Sequence, residues 1–356
     1  MSGNATCLKV KKIQGREALI LAGKLELINR ELKIQKNKDY IYLPLVRQPK
    51  KDELTKIRAM LPDVEISTSV FIKEKQRTKN LVQVLENQLP KQLMDKLPRA
   101  LDMIGDIAVI DIPPELETYE SQIGEAVLVT HKNVRTVLKK ASAVSGTYRL
   151  REFKIVVGEP RTTTIHKEYG CQYKVDLAKA YFSPRLSNEH NRIASLVQKG
   201  ETIVDLFAGV GPFSILIAKN NPDVKVYAID INPAAMEFLR KNIRLNRVEN
   251  RVFPLLGDAK QTVKKQLFGV ADRIIMNLPE KAMEFIDTAC RTVKPAGGVV
   301  HYYEFIRLPD SLENLKLRFS TAVEKASRRV DSYLSEKTIR ATAPYEWQAV
   351  LDAKIL

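Results

Sequence analysis

Cysteine is scarce in this chain: three thiols, Cys7, Cys171 and Cys290, stand far apart in 356 residues. An odd and scattered set encodes neither a disulfide framework nor a zinc site of paired cysteines, and it predicts buried thiols in a reducing compartment. Histidine is also rare, with four residues, and no carboxylate or cysteine spacing around them predicts a metal, so His166 and His301 read as structural. No apolar run approaches the length of a membrane span, and the opening MSGNATCLKVKK lacks the apolar core of a signal peptide. The expected location is the cytoplasm. Internal repeats and low-complexity tracts are lacking as well.

Positive charge is what the chain has in excess: 58 Lys and Arg against 42 Asp and Glu, a formal net charge of +16. Hydrophobic residues make up 44%, enough for packed cores, so the excess predicts a polyanionic partner whose phosphates release counterions on neutralisation. The length suggests two or three domains. The first, residues 1–70, alternates strand-like and helical patterns in CLKVKK, GREALILAGKLEL and YIYLPLV, and ends at the basic cluster SVFIKEKQRTKN, a candidate nucleic-acid contact. The second, residues 71–180, reads as α+β, with a helix in NLVQVLENQL, an apolar strand in MIGDIAVIDIP and a helix in ETYESQIGEAVL. Its last part is rich in Arg and Lys beside Tyr148, Phe153, Tyr169 and Tyr173, a mix of cations and stacking faces suited to unpaired RNA bases. The third, residues 181–356, alternates strands TIVDLF, KVYAID, RVFPLL, RIIMNLP and GGVVHYYEF with helices, the mark of a parallel sheet covered on both faces. A helix near Asp310–Phe319 and an antiparallel strand EWQAVLDAKIL are expected to close it.

The stretch ETIVDLFAGVGPFSILIAKNNPDVKVYAID is a buried strand, a glycine turn, a helix and a second strand, an arrangement that holds a nucleoside-bearing cofactor at the carboxyl edge of a parallel sheet. A dinucleotide fingerprint requires a third glycine where Ser214 stands. What remains is Asp205, Phe207, Gly209, Gly211 and Phe213, an acid leading a GxG turn, which suits a sulfonium and an amino acid better than a pyrophosphate. Asp205 is expected at the amino-acid end, Asp230 at the ribose diol and Asp258 at the adenine amino group, and S-adenosylmethionine (AdoMet) fits all three. In the fourth strand RIIMNLP ends in Asn277, Leu278 and Pro279, where methyltransferases acting on planar nitrogens carry an Asn-Pro-type turn. Proline stiffens that turn, and the asparagine amide offers both donor and acceptor to a base edge.

Taken in order, CLKVKK with YIYLPLV, RLREF, GEPRTTTIHKEYG, YFSPRL, DLFAGVGPFSI, YAIDINP, MNLPEKAMEF and GGVVHYY make the chain resemble, nearly end to end, the tRNA (guanine-37-N1)-methyltransferases of archaea and eukaryotes. The resemblance implies a Rossmann-like class I AdoMet-dependent methyltransferase domain preceded by two smaller α/β or α+β domains, with the N-terminal domain touching the outer corner of tRNA. It implies tRNA as partner and S-adenosylhomocysteine as coproduct; it implies no protein partner, and a monomer is expected. By position, Arg149 matches the arginine that contacts guanine O6, Glu189 the general base, and Asn277 the asparagine that positions the base. Tyr181, His190, Asp230, Ile231, Asp258 and Ala259 match positions near the cofactor. A base-buried Glu189 is expected to have a raised pKa. Two departures stand out. His190 occupies a position where one archaeal branch has arginine, which makes a fixed charge titratable, and Met283 replaces a histidine of that branch.

Two further readings compete with N1 methylation of guanosine 37. C7 methylation of 4-demethylwyosine, the wyosine precursor at the same tRNA position, in addition to or in place of the guanine reaction, is the nearer one. A carbon nucleophile needs less help from a base, so a glutamate at position 189 favours the guanine reaction. A non-catalytic tRNA-binding relative is the other, and the joint presence of Arg149, Glu189 and Asn277 speaks against it.

Overall fold

The computed structural model describes residues 2–73, 80–98 and 100–356, so Lys75, Arg77 and Lys79 of the expected basic cluster lie outside the described residues. In the first strand, β1 (Ser2–Lys11), alternation sends Leu8 and Val10 into a core while Lys9 and Lys11 face outward and pair with Glu65 and Asp63. It is followed by α1 (Gly15–Lys24), β2 (Gln35–Lys36), β3 (Tyr40–Pro44), α2 (Lys51–Met60) and β4 (Glu65–Ile72). The strands form an antiparallel sheet in the order β2-β3-β1-β4, and Ala18 and Ala22 of α1 and Ile57 of α2 cover one face of it. This compact unit ends at residue 79 and a second runs from Asn80 to Leu356. The boundary expected at residue 70 falls later because β4 continues to Ile72 as a full-length edge strand.

The second unit begins with α3 (Leu81–Leu85), β5 (Leu101–Ile104), β6 (Ile107–Ile110), α4 (Glu120–Thr130), β7 (Thr136–Lys140) and β8 (Phe153–Gly158). These strands lie in the order β5-β6-β7-β8, with β6 and β7 parallel across α4. MIGDIAVIDIP, expected as one strand, is a hairpin. Gly105 turns it at φ +57°, and a Cβ there would stand 2.5 Å from the carbonyl oxygen of Ile165, so backbone angle and space both require glycine.

A second hairpin, β9 (Thr163–Glu168) with β10 (Cys171–Asp176), was assigned from sequence to the middle domain. It packs on the β5–β6 turn and also on the helix α7 (Pro233–Asn246) of the following sheet, the latter through two buried asparagines. Asn242 Oδ1 accepts from Lys174 N at 2.7 Å and Asn246 Oδ1 from Gln172 N at 2.9 Å, and both amide groups donate back to β10 carbonyls. Residues 80–356 are therefore continuous across the boundary expected at residue 180.

The remaining elements are α5 (Ser187–Leu196), β11 (Thr202–Asp205), α6 (Pro212–Asn220), β12 (Lys225–Asp230), β13 (Val252–Leu256) after α7, α8 (Ala259–Gln266), β14 (Arg273–Met276), α9 (Ile286–Thr292), β15 (Gly298–Arg307), α10 (Leu312–Lys325), β16 (Val330–Ala343) and β17 (Glu346–Ile355). The sheet order is β13-β12-β11-β14-β15-β17-β16; the first five strands are parallel and the last two antiparallel. This is the expected Rossmann-like architecture. Strand order reverses at β11, the switch point where such sheets leave a crevice beyond their carboxyl ends. β16 was not foreseen: it is an edge strand with several register shifts, whose half-exposed, charged residues carry no apolar run. Among the described residues no helix is long and apolar enough to cross a membrane.

Candidate active site

A cavity of about 260 Å³ opens at the carboxyl ends of β11, β12 and β14. One wall is the glycine turn. Gly209, at φ +55°, donates its N–H to Asp230 Oδ2 at 2.7 Å, and Asp230 Oδ1 accepts from Asn232 N at 2.8 Å. Burial pushes the Asp230 carboxyl upward, against the pull of these backbone N–H groups. Asp258 caps α8 by accepting from Gln261 N at 3.0 Å. Both acids line the cavity, as do Tyr181, Phe207, Ile231, Ala259 and Pro279.

Asp205 and Gly211 do not line the cavity. The Asp205 carboxyl is 1% exposed and accepts from Ser214 Oγ at 2.8 Å, with Phe207 N 3.4 Å away. Burial pushes its pKa up to about 7, the hydrogen bonds opposing and Asp230 adding to the rise. Behind the cavity wall it forms a buried tie between β11 and the first turn of α6. Gly211 starts α6 at φ +94°, where a Cβ would lie 2.4 Å from Leu239 Cδ1, so its role is to let the helix approach α7.

AdoMet fits the residues present. Asp230 and Asp258 line a cavity walled by Phe207 and Phe285, whose rings meet edge to face at 4.9 Å, and no side chain at Gly209 blocks it. Asp230→Ala removes the residue expected at the ribose diol and also frees the turn at Gly209. It is expected to weaken AdoMet by about tenfold or more, the worth of a hydrogen bond to a charged group. Titration calorimetry reads this directly, and unchanged affinity would displace Asp230 from the role.

Arg149 and Asn277 face the same cavity. Arg149 sits at φ +53°, and its guanidinium lies 5.0 Å from the centre of the Tyr181 ring with Nη2 3.4 Å from Glu280 Oε1. Its Nε is buried and has no hydrogen-bond partner among the described residues. Asn277 Oδ1 accepts from Gln348 Nε2 at 3.3 Å, and Gln348 Oε1 accepts from Arg340 Nε at 3.1 Å. Gln348, Arg340 and Phe305 line the cavity too, and sequence reasoning missed them. One signal existed: a lone amide inside the apolar run EWQAVLDAKIL marks a buried polar group that must have a partner.

Glu189 is not among the lining residues. It stands in the first turn of α5, 3% exposed, accepting from Arg192 Nε at 2.9 Å and Tyr303 Oη at 2.9 Å, with Lys337 Nζ 3.3 Å away. Burial alone would raise its pKa, but the hydrogen bonds from Arg192 and the charge of Lys337 outweigh it and lower the carboxyl below its ordinary range. The expected rise is for a carboxyl covered by the base; here the partly exposed cations Arg192 and Lys337 beside the buried acid hold it in the charged form. His190 does line the cavity: its Nδ1 is 2.7 Å from Glu168 Oε1 and its ring meets Phe213 at 4.5 Å. The four aromatics that stand beside the basic residues of the segment up to residue 180 divide. Tyr173 is fully buried core, whereas Tyr148 lines the cavity beside Arg149. Among the described residues no group of His, Cys, Asp and Glu could hold a metal ion.

Three family models match the chain: the TRM5/TYW2 methyltransferase domain over residues 164–335, the TYW2 N-terminal domain over 81–162 and the tRNA methyltransferase 5 N-terminal domain over 7–53. A tRNA (guanine(37)-N(1))-methyltransferase Trm5b of Pyrococcus abyssi is 43% identical, covering 75% of this chain and 78% of its own. The Trm5b of Methanocaldococcus jannaschii is 36% identical over 98% of both chains. The crystal structure of Trm5b from Pyrococcus abyssi superposes with a TM-score of 0.74 at 35% identity and 99% coverage of each chain. The structure of aTrm5 in complex with tRNALeu gives 0.72 at 34% identity, covering 98% of this chain and 99% of that one.

Proposed function

Since the chain belongs to the TRM5/TYW2 methyltransferase family, we propose that it transfers a methyl group from AdoMet to N1 of guanosine 37 in the anticodon loop of tRNA. The observation that carries the substrate reading is that Arg149, whose buried Nε has no partner among the described residues, lines the same cavity as Asn277. AdoMet supplies an electrophilic methyl group when bound. The chain's own side chains have to make the acceptor nucleophilic. Guanine N1 carries a proton at neutral pH, and as it leaves, negative charge builds on O6. Arg149 donates to that oxygen through its guanidinium, and Asn277 holds the base edge. Glu189 takes the N1 proton, which requires the entering base to replace Arg192 as the partner of the carboxylate. Arg192 keeps Asp352 as a second partner, so the exchange strands no buried charge.

Tyr181, Phe207, Asp230, Ile231, Asp258, Ala259 and Pro279 form the AdoMet side of the site in this reading, and His190, held by Glu168, packs beside them. The N-terminal unit up to residue 79 supplies a separate tRNA contact, and the reaction runs in the cytoplasm. Three otherwise identical tRNAs test the reading: a transcript with guanosine at position 37, one with another base there, and tRNA bearing 4-demethylwyosine. Methyl transfer to the first alone is expected. Transfer confined to the third would establish C7 methylation in its place.

A further inference from the structure

Asn277 can in principle show a purine either its carbonyl or its amide NH2, and these select opposite partners. The antiparallel strands at the sheet edge decide between them. In the cross-strand register Gln348 of β17 lies between Phe305 of β15 and Arg340 of β16, so the three side chains form a row along the cavity wall. Arginine has no acceptor. The Gln348 atom facing Arg340 Nε at 3.1 Å must therefore be Oε1, which leaves Nε2 toward Asn277. The Asn277 atom that receives it at 3.3 Å must then be Oδ1. Gln348 is 1% exposed, so water does not readily break this chain of bonds. The donor-only end thus sets the polarity of all three groups.

Building on the guanine reading above, we infer that Arg340 and Gln348 are specificity-determining positioning residues: they turn Asn277 so that its NH2 faces the acceptor base and selects a purine with an oxygen at C6. Guanine O6 accepts from that NH2. Adenine carries an amino group at the same place, so two donors would face each other unpaired, a mismatch that costs about ten- to a hundredfold. Arg149 and Asn277 then converge on one oxygen from two walls of the cavity, and the discrimination is built before substrate arrives.

Gln348→Glu is the sharpest test, since a carboxylate accepts from Arg340 but cannot donate to Asn277, and so turns the asparagine over. With tRNA bearing guanosine at position 37, the single-turnover rate is expected to fall about ten- to a hundredfold while AdoMet affinity stays within about twofold. The side-chain amide protons of Asn277, assigned in NMR spectra with Asn277→Asp, should move downfield as they bond the new carboxylate. A rate within twofold of native, or an amide resonance that does not move, overturns the inference. Arg340→Met, at a partly exposed position, removes the donor-only end and covers the case in which Gln348→Glu does not fold. Two Asn277 amide environments are then expected, and one unchanged resonance overturns the proposal. If the native protein leaves guanosine 37 unmethylated, the functional reading fails, and the amide spectra still decide the polarity.

Discussion

Glu189→Gln is expected to slow single-turnover methyl transfer by about a hundredfold or more, with AdoMet bound within about threefold of native affinity. The substitution keeps shape and one acceptor for Tyr303 Oη while removing the ability to take the N1 proton. The fold should survive, because Arg192 still has Asp352 and Asp352 still accepts from His301 Nδ1 at 2.6 Å. Quench-flow with labelled AdoMet measures the rate, and a variant as fast as native would remove Glu189 from the chemistry. Stability offers a second readout with a definite sign. The folded-state pKa of Glu189 lies below its ordinary value, so the ionised carboxylate stabilises the native chain above the ordinary carboxylate range, and this is lost as pH falls through the folded value. The thermal midpoints of native and Gln variant should therefore differ at neutral pH and converge in acid.

How much of this site is legible in the sequence depends on how local its causes are. TIVDLFAGVGPF is readable because a buried strand, a turn at positive φ and a proline-started helix are each fixed by a few adjacent residues. Asp230 and Asp258 follow from strand ends in the same way. Asp205 is less legible. Ser214, noticed as the residue that spoils a dinucleotide fingerprint, is also the residue that binds the Asp205 carboxyl, so the departure from the motif and the burial of the acid are one feature. Its consequence shows only once α6 is folded back onto β11.

Longer-range causes leave less trace. Glu189 gains Arg192 from its own helix, but Tyr303 and Lys337 come from β15 and β16, and the sign of its pKa shift depends on them together. β16 carries mixed polar residues because it is an edge strand, and Arg340 reaches the cavity only through a register that its bulges set. The hairpin β9–β10 reads as part of the middle sheet because adjacent strands usually pair. Asn242 and Asn246, far along the chain, tie it to α7 as well.

Arg149→Met should lower the single-turnover rate about a hundred- to a thousandfold without changing AdoMet affinity, the loss typical of removing one donor to a developing oxyanion. Methionine keeps an apolar stem against Tyr181, so the loop from Gly146 to Leu150, closed by the Ser145–Leu150 pairing, has no reason to open. The native guanidinium is placed for a partner that arrives later. Its contact to the half-exposed Glu280 is long at 3.4 Å, and its Nε has no partner among the described residues. Such an arrangement leaves a buried donor unsatisfied in the resting protein, at a cost that an incoming O6 removes. The pH profile separates this role from simple tRNA binding. If Arg149 stabilises charge on O6, its loss makes the N1 proton harder to remove, so the Met variant should gain rate with rising pH where the native enzyme is already level. If Arg149 only held a phosphate, tRNA affinity would fall and the two pH profiles would stay parallel.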